Sequence, residues 1–101
     1  MKVFVDSTLD APADWMIARS ATDAIDLVRS GEVQEISVAY DLGDAEGGTG
    51  QTVILWMEQA VMAGSFRPPI ITVHSARSST RKTMEQSIRL IHQMAASPNT
   101  P

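Results

Sequence analysis

Strand-forming runs alternate with amphipathic helical stretches along most of this 101-residue chain, and that alternation constrains its fold more than any other feature. Glu35-Ile36-Ser37-Val38-Ala39-Tyr40 and Ile70-Ile71-Thr72-Val73-His74 are β-branched runs, the second fixed at its start by Pro68-Pro69, which cannot continue a helix. Between them Gln51 to Ala63 contains no Gly or Pro and places Val53, Trp56, Met57, Ala60 and Val61 on one broad face at 3.6-residue spacing. Leu55 and Met62 fall on the opposite face, with Ile54 and Val61 at the stripe's edge. Upstream, Ser20 followed by Asp23 has the form of an N-cap with an acid at N3. Ala21, Ala24, Ile25, Leu27 and Val28 then follow at helical spacing, and Gly31 can take the left-handed conformation that ends a helix. Ser78 to Ala95 is a long amphipathic helix with Met84, Ile88, Ile91 and Ala95 on one stripe.

Two further strands precede the first helix. Lys2-Val3-Phe4-Val5-Asp6 has the pattern of a buried strand ending in an acid, and Trp15-Met16-Ile17-Ala18-Arg19 is a weaker run; Ser7 to Asp14, with Pro12 and no helical period, is a loop. The order strand, strand, helix, strand, helix, strand, helix predicts right-handed crossovers and a mostly parallel sheet covered on both faces: a three-layer α/β fold. One domain over residues 1–95 accounts for the chain, followed by a disordered tail at 96–101. Ligands of such sheets bind beyond the carboxyl ends of the strands. Those ends carry Asp6, Asp41 and His74-Ser75.

Composition removes several classes of function. With no cysteine, thiolate metal sites and cysteine nucleophiles are excluded. A formal charge of -4 argues against an extended nucleic-acid face, which needs clustered Lys and Arg. No apolar run approaches the roughly 20 residues of a membrane span, and the opening residues reach Asp6 before a signal-peptide core forms. The expectation is a cytoplasmic protein without a membrane anchor.

At the strand ends each marked residue has two readings. Asp6 is a metal ligand or acid/base group, or an acid bonded to loop amides; Asp41 is a second ligand, or the cap of an Asx-turn into Leu42-Gly43. His74 is a general acid or phosphate donor, or a hydrogen-bonded structural histidine. Arg81 and Lys82, in the first turns of the last helix, receive a phosphate or are solvated charges on a capped helix. Gly47-Gly48-Thr49-Gly50 lacks the Lys-Ser/Thr ending of a P-loop and reads as a flexible connection. His92 has no spaced partner.

Four stretches together resemble the cyclic-phosphate processing receiver domain family: Val3-Phe4-Val5-Asp6; Ile36 to Asp44; the glycine loop leading to Leu55-Trp56-Met57-Glu58; and Val73-His74-Ser75-Ala76 with Arg81 and Met84. The resemblance implies a receiver-like (flavodoxin-like) fold with a four-stranded sheet in the order 2-1-3-4. It also implies an acidic pocket that takes a phosphate-containing small molecule, with Ser75 as the hydroxyl contacting the phosphoryl group; from its position alone Ser75 is equally a turn residue of N-cap type before the last helix. The chain departs from the family pattern where catalysis would need it. Ser7 and Leu9 stand where a second acid and a basic residue are usual, Ala39-Tyr40-Asp41 replaces acid-His-acid, and Arg77 replaces an asparagine. The aspartate that receivers phosphorylate would sit at Ala39. Asp6 and Asp41 alone offer too few oxygens for a tight divalent site, so no cofactor is expected; Mg²⁺ is the cofactor if the pocket is active.

Two functions follow. In one, the fold has outlived its chemistry and binds a protein partner or a second copy, with Leu55 and Met62 as contact residues. A small acidic protein of this kind suits an inhibitor of a basic surface, in the manner of phage anti-defence proteins. In the alternative, a reduced pocket of Asp6, Asp41, His74 and Ser75 still processes a cyclic phosphate or another phosphoester, with Arg81 holding the anion.

Overall fold

The computed structural model describes residues 1–43, 48–64 and 66–96. Its elements are β1 (Lys2–Val5), β2 (Trp15–Ala18), α1 (Ala21–Arg29), β3 (Glu35–Ala39), α2 (Gly50–Met62), β4 (Ile70–Ser75) and α3 (Ser78–Ala96). The expected tail at Ser97 to Pro101 lies outside the described residues; Ala96 still belongs to α3. All strand pairs are parallel, in the order β2-β1-β3-β4. Ser20 caps α1 by accepting from the Asp23 amide, and Gly31 lies just beyond its end at φ 80°, as the sequence predicts.

The helices do not cover both faces. Val3, Val5, Ile36, Val38, Ile71 and Val73 share one face of the sheet, and they join Ala21, Ala24, Val28, Val53, Ile54, Met57, Met84, Ile88 and Ile91 in one core. All three helices therefore form a single layer, with α2 packed between α1 and α3. Chirality explains this. The β2-α1-β3 and β3-α2-β4 connections step across the sheet in the same direction, so right-handed crossovers place both helices on the same side. The β1-β2 connection steps the other way, and only a helix there would cover the second face. Ser7 to Asp14 contains none. The fold is receiver-like but two-layered, which corrects the expectation of three.

On the helix-free face a row of rings takes the place of a helix. His74 stacks on Phe4 at 4.1 Å between centroids, Phe4 meets Trp15 edge-on at 6.4 Å, and the Lys2 ammonium lies 5.7 Å from the Trp15 ring. Phe4, Ser37 and Thr72 are in register across β1, β3 and β4, so the row runs over the middle of the sheet.

The buried arc of α2 also differs from the predicted stripe. Gly50, Val53, Ile54 and Met57 are buried, whereas Trp56, Ala60 and Val61 are only partly so. A helix flanked by two others buries a wider arc than one resting on a sheet alone, which takes Ile54 inside. Leu55 and Met62 are exposed, at 42% and 67%. On α3, Met84, Ile88 and Ile91 are buried while Ala95 is exposed.

The glycine segment before α2 is a built junction rather than a flexible connection over its described part, Gly48 to Gly50. Thr49 and Thr52 form a reciprocal capping box, and the Gly50 amide donates to Tyr40 O at 2.8 Å. Asp44 to Gly47 lie outside the described residues.

Candidate functional site

The site is built by β1, β3 and an irregularity in β4. Val38 pairs with Val73, but the next residue, Ala39, pairs with Ser75, so His74 is an extra residue in β4. A bulge re-aims the side chain it carries. Here the His74 imidazole reaches across β3 to β1: Nδ1 lies 2.8 Å from Ser37 Oγ, and Nε2 lies 2.8 Å from Asp6 Oδ2.

Asp6 is 4% exposed. Its Oδ1 accepts from the Thr8 and Leu9 amides, each at 2.9 Å, which folds the start of the β1-β2 loop around the carboxylate. Arg19 secures that loop from outside, donating from Nη1 to Leu9 O at 2.8 Å and to Asp6 O at 3.3 Å. Burial pushes the Asp6 pKa upward, but the Leu9 and Thr8 amides and the His74 partner outweigh it and hold the carboxyl below its ordinary value. An ionised carboxylate only accepts, so Nε2 carries the proton; Nδ1 shares a hydrogen bond with the Ser37 hydroxyl, which can donate or accept as the ring requires. The result is a hydrogen-bonded chain of Ser37, His74 and Asp6 that links β3, β4 and the end of β1.

Ser37 was not among the residues singled out from sequence. Its one signal was a polar side chain inside a buried strand, in a period-2 position shared with Glu35. It is 8% exposed and mid-strand, while Asp6 and His74 were marked as strand-end residues.

The other candidates lie apart from this chain. Asp41 is exposed, and its Oδ1 accepts from the Gly43 amide at 2.8 Å with Gly43 at φ 70°, the Asx-turn geometry. Ser75 is exposed and lines a cleft with Tyr40, Asp41, Ala76, Arg77 and Thr80, a set that includes neither Asp6 nor His74. Arg81 donates from Nη1 to Val73 O at 2.8 Å and lies 3.8 Å from Glu85, so its guanidinium ties α3 to β4. Lys82 is exposed. Ala39, where the resemblance would place a phospho-accepting aspartate, is buried in the core at 2% exposure.

The model of the family described as Cyclic-phosphate processing Receiver domain matches residues 1–90. The chain belongs to this family. Searches of curated proteins and of solved structures gave no significant match. In this member Asp6, just beyond β1, and His74 of β4 are bonded to each other.

The donor set fits a divalent cation poorly. Among the described residues no three His, Asp or Glu side chains are grouped to hold a metal, and both Asp6 oxygens already accept hydrogen bonds. Calorimetric titration with Mg²⁺ or Mn²⁺ is therefore expected to show affinity of roughly millimolar or weaker. Micromolar binding lost in Asp6→Asn would contradict this account of the carboxylate.

Proposed function

We propose that this receiver-family chain is a non-catalytic module that acts by binding a protein partner presenting a basic surface. The observation that carries the reading is the Asp6 carboxylate, whose two oxygens are engaged by the Thr8 and Leu9 amides and by His74. A general acid or metal ligand must offer an atom to the substrate or ion. Here Oδ1 is committed to the β1-β2 loop, and Oδ2 is offered only if the His74 ring turns away from it. Excess acid side chains, 12 Asp and Glu against 8 Lys and Arg, favour a basic partner.

The competing reading, a phosphoester-processing enzyme with a reduced pocket, draws on the same His74-Asp6 pair, since a histidine oriented by a carboxylate is a general-base arrangement. Against it stands the burial of Ser37 and Asp6 within and beneath the sheet surface. Incubation with cyclic and linear nucleotide phosphoesters, with Mg²⁺ or Mn²⁺ added, separates the two. The expected result is product formation no faster than in buffer. Turnover that His74→Phe abolishes in a folded protein would establish the enzyme instead.

A further inference from the structure

The sheet has two edges, and the chain treats them differently. On β4 the outward Val73 and Pro69 carbonyls are capped by α3, with Arg81 donating to Val73 O at 2.8 Å and His92 Nε2 to Pro69 O at 3.3 Å, and Ile71 between them is only 4% exposed. Edge strands covered in this way cannot pair with another chain. On β2 no such cover exists among the described residues. Ala18 O accepts from Asp6 N, so the Ala18 and Met16 backbone groups face β1, and by alternation those of Trp15 and Ile17 face outward. The Trp15 N–H is used by Pro12 O at 3.1 Å, whereas the Ile17 N–H and C=O have no partner among the described residues. Ile17 and Met16 are 38% and 50% exposed.

We propose that β2 is a homodimerisation edge, pairing antiparallel with β2 of a second copy about a two-fold axis at Ile17. Two features select this occupant and this register. First, a two-fold axis relating two edge strands of one continuous sheet stands perpendicular to that sheet, so paired residues share a face and the axis passes midway between one residue and its own copy. Only Ile17 has both backbone groups free and pointing out, so Ile17 exchanges both hydrogen bonds with its own copy. Each Trp15 carbonyl then accepts from the opposite Arg19 amide. Second, the strand is bounded by Asp14 at one end and by Arg19 at the other, whose guanidinium stays bonded to Leu9 O and Asp6 O and contributes only its charge to the edge. Antiparallel pairing brings the acidic end of one strand to the cationic end of its copy, whereas parallel pairing sets like charge against like. The product is an eight-stranded sheet with all helices on one side.

The register gives a specific test, because residue 17 faces itself. Sedimentation velocity over a concentration series is run on the wild type, on Ile17→Lys, on Ile17→Glu and on an equimolar mixture of the two variants, with circular dichroism melts to confirm folding. The wild type is expected to shift with concentration toward twice its 10.9 kDa mass. Each variant alone should associate at least about tenfold more weakly, and the mixture should recover the dimer through the Lys-Glu pair. A wild type monomeric at every concentration overturns the proposal. So does a dimer that survives in both single variants, or a mixture of folded variants that stays monomeric. Loss of the dimer in Leu55→Glu, Met62→Glu with retention in the Ile17 variants would place the contact on α2 and overturn it equally.

Discussion

Replacing Gly50 with alanine is expected to destabilise the protein by about 3 kcal/mol or more, enough to lower the midpoint of thermal unfolding by over roughly 12 °C in a domain of this size. A Cβ at this position would lie 2.0 Å from Ala39 O, 2.6 Å from Val38 Cγ1 and 2.9 Å from Ala39 C. Two of those atoms are backbone of a central strand, which cannot rotate aside as the end of a side chain can. The strain must instead move the first turn of α2, and with it the Gly50 N–H bond to Tyr40 O and the burial of Val53 and Ile54. Gly31→Ala is the control. Nothing lies within 4 Å of its added Cβ, but φ is +80°, so only the conformational cost of about 1 kcal/mol is expected. Urea unfolding of both variants distinguishes steric exclusion from backbone preference. Equal losses would mean that α2 does not sit against the end of β3 as described.

That junction marks one boundary of what the sequence discloses. Gly50 reads in sequence as one of several glycines in a permissive loop, because close approach between a helix start and a strand end is a tertiary fact with no local signature. The elements themselves were legible. β-Branched runs and helical spacing placed all four strands and three helices, and the family likeness placed the strand order. The covering of the sheet was misjudged for a different reason: alternation of elements suggests two helical layers unless the direction of each step across the sheet is also followed. With Ser7 to Asp14 recognised as a helix-free connection, the order 2-1-3-4 already requires a bare second face.

The candidate site was half legible on the same grounds. Asp6 and His74 were marked because they end strands. Their union was hidden, because the bulge that turns His74 inward is a register shift between β3 and β4, and nothing in Val73-His74-Ser75 announces it. Ser37 became significant only through that shift. For Arg81 the sequence lacked the converse information. A cation near the start of a helix suggests an anion site, but an uncovered strand edge also needs donors, and the Val73 carbonyl is the acceptor that Arg81 meets.

The bonded chain through His74 should also dominate the local energetics, and Asp6→Ala is expected to cost about 2–3 kcal/mol at neutral pH. The substitution removes the acceptor of the Thr8 amide, the Leu9 amide and His74 Nε2–H at once, and the last of these lies in a largely buried ring. Asp6→Asn should cost less. Its carbonyl can keep the two loop amides, while its NH₂ faces His74 and is accepted if the imidazole proton moves to Nδ1, where the Ser37 oxygen can receive it. The two variants therefore separate loss of the charge from loss of the loop's anchor. Because the folded pKa of Asp6 lies below the ordinary 3.8, its charge contributes stability that is complete above that value and is lost as pH falls through the folded pKa. Chemical denaturation at pH 7 and again near the acid limit should then show the gap between wild type and Asp6→Asn closing as the wild-type carboxyl is protonated. The gap to Asp6→Ala should close less, since a protonated carboxyl still accepts from the Thr8 and Leu9 amides. An Asp6→Asn gap that stays constant into acid would mean that the charge on Asp6 does not stabilise this site, and that shape alone holds β1, β3 and β4 together there.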